Sequence, residues 1–407
     1  MGSTLYLLAT DALQRAHTQA GCPAETSPVA YARNAIEAAA ALVADPAHGV
    51  WVKAKWGPRY MERQNCFYRM LRVFAFTAHE NLLRTGRYAE RLRSEAGSLA
   101  TEIGSSPHYL LEDYPGECYP TDPLWAVAAI RRADAVLSTD HSALASRLMR
   151  HFDGHLLTPD GMLPYDADAL TGQVGRSSGC ASSAILLFAA ELDQEVAQRW
   201  YGAHERHLWE LKWGAAGLRE LPSGEGPEWS FQVDTGPVVA GFGTTATAFG
   251  CGAARVAGRA QQARALGAEM VGFSWPLPDG SLLVPRLLSD LGDAPLVGEA
   301  AVVFVLSAGP VGEAAPRGRD ALPSIVWLPV AFGLTAAATI LVLAWLECRG
   351  RVRRVMVLGS RRPVLAFTAW AVLGGLMAWA AGAGHPIAAL TLLGVWHVLP
   401  DRIAGRG

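Results

Sequence analysis

Apolar helical segments alternate with amphipathic ones, and this alternation limits the fold of the 407-residue chain more than any other feature. Residues 63–81, 123–136, 180–190 and 240–254 read as Ala- and Gly-rich apolar helices. Each leads, through a helix end and a short polar turn, into an amphipathic helix, and the units 83–103, 136–156, 191–209 and 255–273 recur at intervals of 50 to 65 residues. A helix that is apolar all round must be covered on every side, whereas an amphipathic one can cover it and still face water. Residues 296–308 add a fifth apolar helix, and 28–44, capped by Ser27 and opened by Pro28, precedes the series. The pattern predicts an all-α domain, an α/α toroid of five or six hairpins, with strand-like pieces only near 158–173 and 274–283, where Pro and Gly interrupt. A straight solenoid is the alternative, but it needs polar terminal caps, and here the last unit runs on through 309–322 into apolar sequence.

Two uncharged runs, 22 residues at 325–346 and 38 at 363–400, read as membrane segments. At about 1.5 Å per residue the longer run is nearly twice a bilayer core of roughly 30 Å, so it is expected to fold back near Gly382–Pro386. The predicted organisation is an N-terminal helix and tail (1–27), the toroid (28–310), a linker (311–323) and a membrane region (324–407) with helices at 325–346, 363–382 and 386–399. Residues 324–407 hold eight arginines against Glu347 and Asp401, leaving 27 basic and 35 acidic residues to 1–323. The acidic larger part offers no nucleic-acid surface. The arginines from Arg349 to Arg362 place their loop in the cytoplasm and the large domain outside, making an integral protein of the inner or plasma membrane with the lipid bilayer as a partner. The opening residues form no signal peptide, since Asp11 and Arg15 interrupt a short apolar stretch, so export requires an upstream segment or else the orientation is reversed. A homo-oligomer is left open.

The chemistry-bearing residues gather in loops that enter the apolar helices: 114–123 with Glu117, Cys118, Tyr119 and Asp122, 175–180 with Arg176, and 228–237 with Trp229, Phe231 and Asp234. In a toroid such loops meet at the mouth of the central cavity. Asp122 before Pro123 reads equally as a helix cap or as an acid–base group, and Asp234 near Pro237 likewise. Cys118 reads as a nucleophile, a proton donor or a buried filler. Glu117 is solvated unless its loop folds inward, and Arg176 has solvation as its plain reading. Trp229 and Phe231 are core residues or aromatic walls of a pocket. Gly241–Ala246 mimics a dinucleotide fingerprint, but no strand precedes it in a βαβ unit. Six scattered cysteines, and His151 with His155 lacking a third ligand, indicate neither a disulfide framework, a metal site nor a cofactor.

At these residues the sequence resembles the linalool dehydratase-isomerase family, an α/α-toroid family, over about 60–310. The stretches that carry the resemblance are Glu62-Arg63-Gln64-Asn65-Cys66-Phe67-Tyr68 with its following helix to Gly86-Arg87-Tyr88, then Glu117-Cys118-Tyr119-Pro120-Thr121-Asp122, 178–209, and Asp234-Thr235-Gly236-Pro237. The resemblance implies a cavity in which Cys118, with Asp122 in the same loop, moves protons and water on an allylic alcohol. Val127 and Leu71 stand where that family has a second cysteine and a histidine.

Three readings follow. The first is a lyase or isomerase on a small hydroxylated, terpenoid-like substrate, with Cys118, Asp122, Glu117 and Asp234 as acid–base groups and Tyr68, Asn65, Tyr119, Arg176, Trp229 and Phe231 around the substrate. The second is a glycan-active enzyme, since paired carboxylates and aromatic platforms also suit glycosides. The third is a non-catalytic, ligand-binding or structural membrane protein.

Overall fold

The computed structural model describes residues 1–20, 26–232, 235–276, 282–283, 297–309 and 322–328, together with 331, 335, 346, 368 and 371–376. The chain divides into two compact units, Met1–Met270 with Pro285–Pro323, and Val271–Val284 with Ser324–Gly407.

The helices of the first unit are α1 (Gly2–Ala20), α2 (Pro28–Ala44), α3 (Val50–Trp56), α4 (Cys66–Leu83), α5 (Ala89–Ser105), α6 (Thr121–Leu137), α7 (Ser142–His155), α8 (Gly179–Leu192), α9 (Gln194–Leu208), α10 (Thr244–Val256), α11 (Ala260–Phe273, whose last turn belongs to the second unit) and α12 (Val297–Ser307). On α5 the buried residues Leu92, Ala96, Leu99, Ala100 and Ile103 recur every three or four positions, so this helix covers the core with one face. On α4 burial runs almost unbroken from Cys66 to Leu82 and takes in Arg69 and Arg72. Those two guanidiniums are satisfied from α5, Arg69 by Glu102 at 2.5 Å and Arg72 by Glu95 at 2.7 Å, so two charges that α4 alone could not bury hold the hairpin together.

The apolar helices close a circuit of neighbours: α1 packs on α4, α4 on α6, α6 on α8, α8 on α10, α10 on α12, and α12 back on α1. Outside them α2 lies on α1 and α4, α5 on α4 and α6, and α7 on α6 and α8. The first apolar helix is therefore α1, not 28–44: Leu5, Leu7, Leu8 and Ala9 are buried, while α2 exposes Tyr31 and Leu42. Asp11, which interrupts the apolar stretch of α1, is buried and pairs with Arg15 at 3.4 Å and Asn81 at 2.5 Å.

The domain is not all-α. Between α9 and α10 the chain forms β1 (Trp209–Lys212) paired antiparallel with β2 (Ala215–Leu218), and β3 (Trp229–Gln232), β4 (Gly236–Val239) and β5 (Phe242–Gly243) in a second antiparallel sheet. Trp213 and Gly214, both at positive φ, make the tight β1–β2 turn. Each strand is at most four residues long, too short for an alternating signal in sequence. The 158–173 stretch contributes isolated bridges, Pro164 with Ser177 and Ala167 with Val174. In the second unit β6 (Trp275–Pro276) pairs with β7 (Leu282–Leu283), and a 3-10 turn spans Ser324–Val326.

The membrane assignment is corrected as well. Among the described residues no helix is long and apolar enough to cross a membrane. The longest of them, α1 with 19 residues, carries Asp11 and Arg15, and α4 with 18 carries Arg69, Arg72 and Glu80. This finding overturns the integral membrane protein with three C-terminal spans and its extracytoplasmic domain. The segments 325–346, 363–382 and 386–399 and the Arg349–Arg362 loop lie almost wholly outside the described residues.

Candidate functional site

The loops that start the inner helices are tied to one another through buried carboxylates. Asp113, in the loop before α6, accepts from the backbone N–H of Phe67 at 2.8 Å through Oδ1 and from that of Tyr119 at 2.9 Å through Oδ2. One side chain therefore fixes the first turn of α4 against the approach to α6. Gln64 and Asn65, both left-handed, lead into α4, and the Cys66 N–H donates to the Glu112 carbonyl at 3.1 Å.

Asp122 does not cap α6. The helix begins at Thr121 after Pro120, without a side-chain cap, and Asp122 sits in its first turn, buried, with its carboxyl hydrogen-bonded to that of Asp113. Burial pushes Asp122 up to about 7, and the bond from Asp113 moderates the rise. Asp113 is held well above the usual carboxylate range, by burial first and then by the charge of Asp122. Two carboxyls in one dry site cannot both ionise, so the pair holds a shared proton at neutral pH.

Two thiols complete the cluster. Cys118 is 4% exposed, and burial, followed by the charges of Asp113 and Asp122, raises its pKa. Cys66 is fully buried and raised by the same causes in the same order. Both therefore keep their protons and act as hydrogen-bonding thiols, not thiolates. Sequence reading found Cys118 and Asp122 but missed Asp113, which follows Glu112 and reads as solvated loop, and Cys66, which opens an apolar helix and reads as core.

A second centre lies where α8 and α10 begin. Glu220, just after β2, accepts from Ser178 Oγ at 2.5 Å through Oε1, and its carbonyl accepts from Gly179 N–H at 2.8 Å. A Cβ on Gly179 would stand 2.1 Å from the Arg219 carbonyl oxygen, so only glycine lets this backbone cross the start of α8. Glu220 is buried and pushed up to about 7 by that burial, against the lowering effect of Ser178. It borders a cavity of about 60 Å³ lined also by Tyr165, Arg176, Ser230, Gln232 and Thr235. Arg219 is held beneath by Glu210 at 2.9 Å and Glu228 at 3.1 Å.

The other expected site residues divide between these centres or fall away from both. Arg176 lines the second cavity, and Tyr119 stacks edge-on against its Tyr165 at 5.2 Å. Glu117 is exposed and accepts from the Tyr119 hydroxyl at 2.8 Å, so its loop does not fold inward. Asn65 is buried but serves its own loop, donating to the Tyr60 carbonyl at 2.8 Å. Tyr68 belongs to an aromatic group with Trp51 and Tyr60. Trp229 and Phe231 are 67% and 58% exposed and do not line this cavity; on β3 the alternate residues Ser230 and Gln232 line it, as the two-residue period of a strand requires. Asp234 lies outside the described residues. No group of His, Cys, Asp and Glu among the described residues is arranged to hold a metal ion.

Compared with known proteins, the sequence matches no family model and no curated protein.

Proposed function

We propose that the chain is an acid–base enzyme of the hydro-lyase or isomerase kind, acting on a small hydroxylated substrate at Asp122. The observation that carries this reading is the hydrogen-bonded Asp113–Asp122 pair with Cys118 and Cys66 beside it. Of the two carboxyls Asp122 keeps 9% exposure and Asp113 1%, so Asp122 is the member that meets the substrate and Asp113 positions it. Protonated Asp122 gives its proton to the departing hydroxyl. The C–O bond breaks, its electron pair leaves on oxygen as water, and an allylic framework spreads the positive charge. The Asp122 carboxylate then takes a proton from the neighbouring carbon, whose C–H electrons form the double bond, and the pair ends with the proton it began with. A carboxyl near 7 suits both roles at neutral pH. Cys118 donates a hydrogen bond from its thiol without becoming a nucleophile. The resemblance of Cys118 and Asp122 to the linalool dehydratase-isomerase loop supports the same chemistry. A glycoside hydrolysis at this pair is disfavoured, because carboxyls in hydrogen-bond contact are closer than the roughly 5 Å such a mechanism needs.

Incubating the full chain with a panel of allylic alcohols and analysing for dienes and rearranged alcohols tests the reading. Turnover is expected, with a rate that falls above pH 7 as the pair loses its proton, and Asp122→Asn is expected to lower it roughly 10²–10⁴-fold. Turnover that survives Asp122→Asn, or its absence across the panel, would overturn the assignment.

A further inference from the structure

We propose that the cavity beside the starts of α8 and α10 binds a neutral ligand through its hydroxyl groups, a sugar or similar polyol, with Glu220 and Thr235 as buried anchors. The two side chains are 7% and 3% exposed, and both line the cavity. Glu220 Oε1 is satisfied by Ser178, but Oε2 has no hydrogen-bond partner, and neither has Thr235 Oγ1. A buried polar atom left unpaired costs about 1–3 kcal/mol, so two on residues that line one cavity mark a place prepared for a partner from outside.

The lining selects the chemistry. Glu220 Oε2 calls for a donor, and the Thr235 hydroxyl can both give and take, which is the pairing that alcohol groups offer. Ser230, Gln232 and Tyr165 add uncharged groups of the same dual kind. Arg219 and Lys212 bring no net charge, being matched by Glu210 and Glu228. Glu220 itself opposes an anion, and Arg176 at the rim opposes a cation. About 60 Å³ accommodates roughly four waters, the space of a few hydroxyls on one edge of a ring. Behind Glu220, glycine leaves its carboxylate room: a Cβ on Gly243 would stand 2.6 Å from Oε2. Asp113 and Asp122 are not part of this lining, so the inference does not rest on the dehydration chemistry.

Calorimetric titration of the full chain with xylose, myo-inositol and glycerol, alongside acetate and ethylamine, tests it. Saturable binding of at least one of the three polyols is expected, weakened about ten- to a hundredfold by Glu220→Gln and by Thr235→Val. It should also weaken in Gln232→Ala, whose exposed position leaves folding intact, and stay unchanged in Asp122→Asn. No saturable polyol binding, binding indifferent to all three cavity substitutions, or stronger binding of acetate or ethylamine would overturn it.

Discussion

Asp113 accepts from two backbone N–H groups on different elements, those of Phe67 and Tyr119, so its removal is a structural event before it is a chemical one. Asp113→Ala is expected to destabilise the chain by about 2–4 kcal/mol, the cost of two buried N–H groups left unpaired, measurable as a lower urea midpoint. Cys118→Ala is expected to cost no more than about 1.5 kcal/mol, since only one sulfur is lost. The titrating residues set an opposite pair of slopes. Asp122 and Glu220 stand at about 7 in the fold against ordinary values of 3.8 and 4.5, so between about pH 4 and 7 the folded chain holds protons the unfolded chain has released, and stability falls as pH rises. His204, fully enclosed and bonded to Ser183 at 2.9 Å, is pushed down from 6.5 to about 4 and opposes them, adding stability as pH rises through that interval. Two carboxyls outweigh one imidazole. The denaturation midpoint should therefore be lower at pH 8 than at pH 5, and Asp122→Asn should flatten the difference; a chain more stable at pH 8 would contradict the burial of these groups. Of this chemistry only Cys118, Asp122 and Arg176 were legible in the sequence, because their loop carried Pro and Gly punctuation. Glu220 and Asp113 were not, since nothing local distinguishes a carboxylate that long-range packing will enclose from one that water will keep.

At the scale of elements, the hairpins were legible where periodicity was long and illegible where strands were short. The units α4–α5, α6–α7 and α8–α9 announce themselves through buried stripes and caps such as Asp193, which accepts from Val196 N–H at 3.0 Å. Strands β1 to β5 do not, having at most four residues each. Their contacts are nonetheless exacting. Gly179→Ala should cost several kcal/mol by forcing the β2 exit away from α8, whereas Gly97→Ala, in a helix interior with nothing within 4 Å of the added carbon, should gain about 0.5–1 kcal/mol. Thermal midpoints moving in the same direction for both would show that close approach does not govern the first site. On the α4–α5 hairpin, Arg72→Ala leaves Glu95 to Arg91 alone, at 2.9 Å, and is expected to destabilise by about 3 kcal/mol, with part of that recovered when Glu95 is replaced by Leu in the same chain.

For the molecule as a whole, the apolar segments read at 63–81, 123–136 and 180–190 are the most deeply buried helices, while the N-terminal helix, set apart from the series in the sequence, joins them in the circuit. The uncharged C-terminal runs pointed to membrane helices through composition alone, and composition cannot say what a segment packs against. Because α1 bridges α4 and α12, a chain lacking residues 2–20 should lose its cooperative unfolding transition instead of shifting it by a few degrees. A sharp transition retained by that truncation would show that the circuit does not depend on its first helix.

The same bridge imposes a timetable on synthesis. Helix α1 ends at residue 20 and its partner α12 begins at residue 297, so at about 5–20 residues per second a ribosome needs on the order of 15–60 s to deliver the second after the first. Throughout that interval Leu5, Leu7 and Leu8 wait with one flank uncovered, and the nascent chain is at its most adhesive when most of its helices already exist. The burden of closure falls on whatever shields α1 during translation, and slowing the ribosome between α11 and α12 should raise aggregation more than slowing it after α12 has emerged.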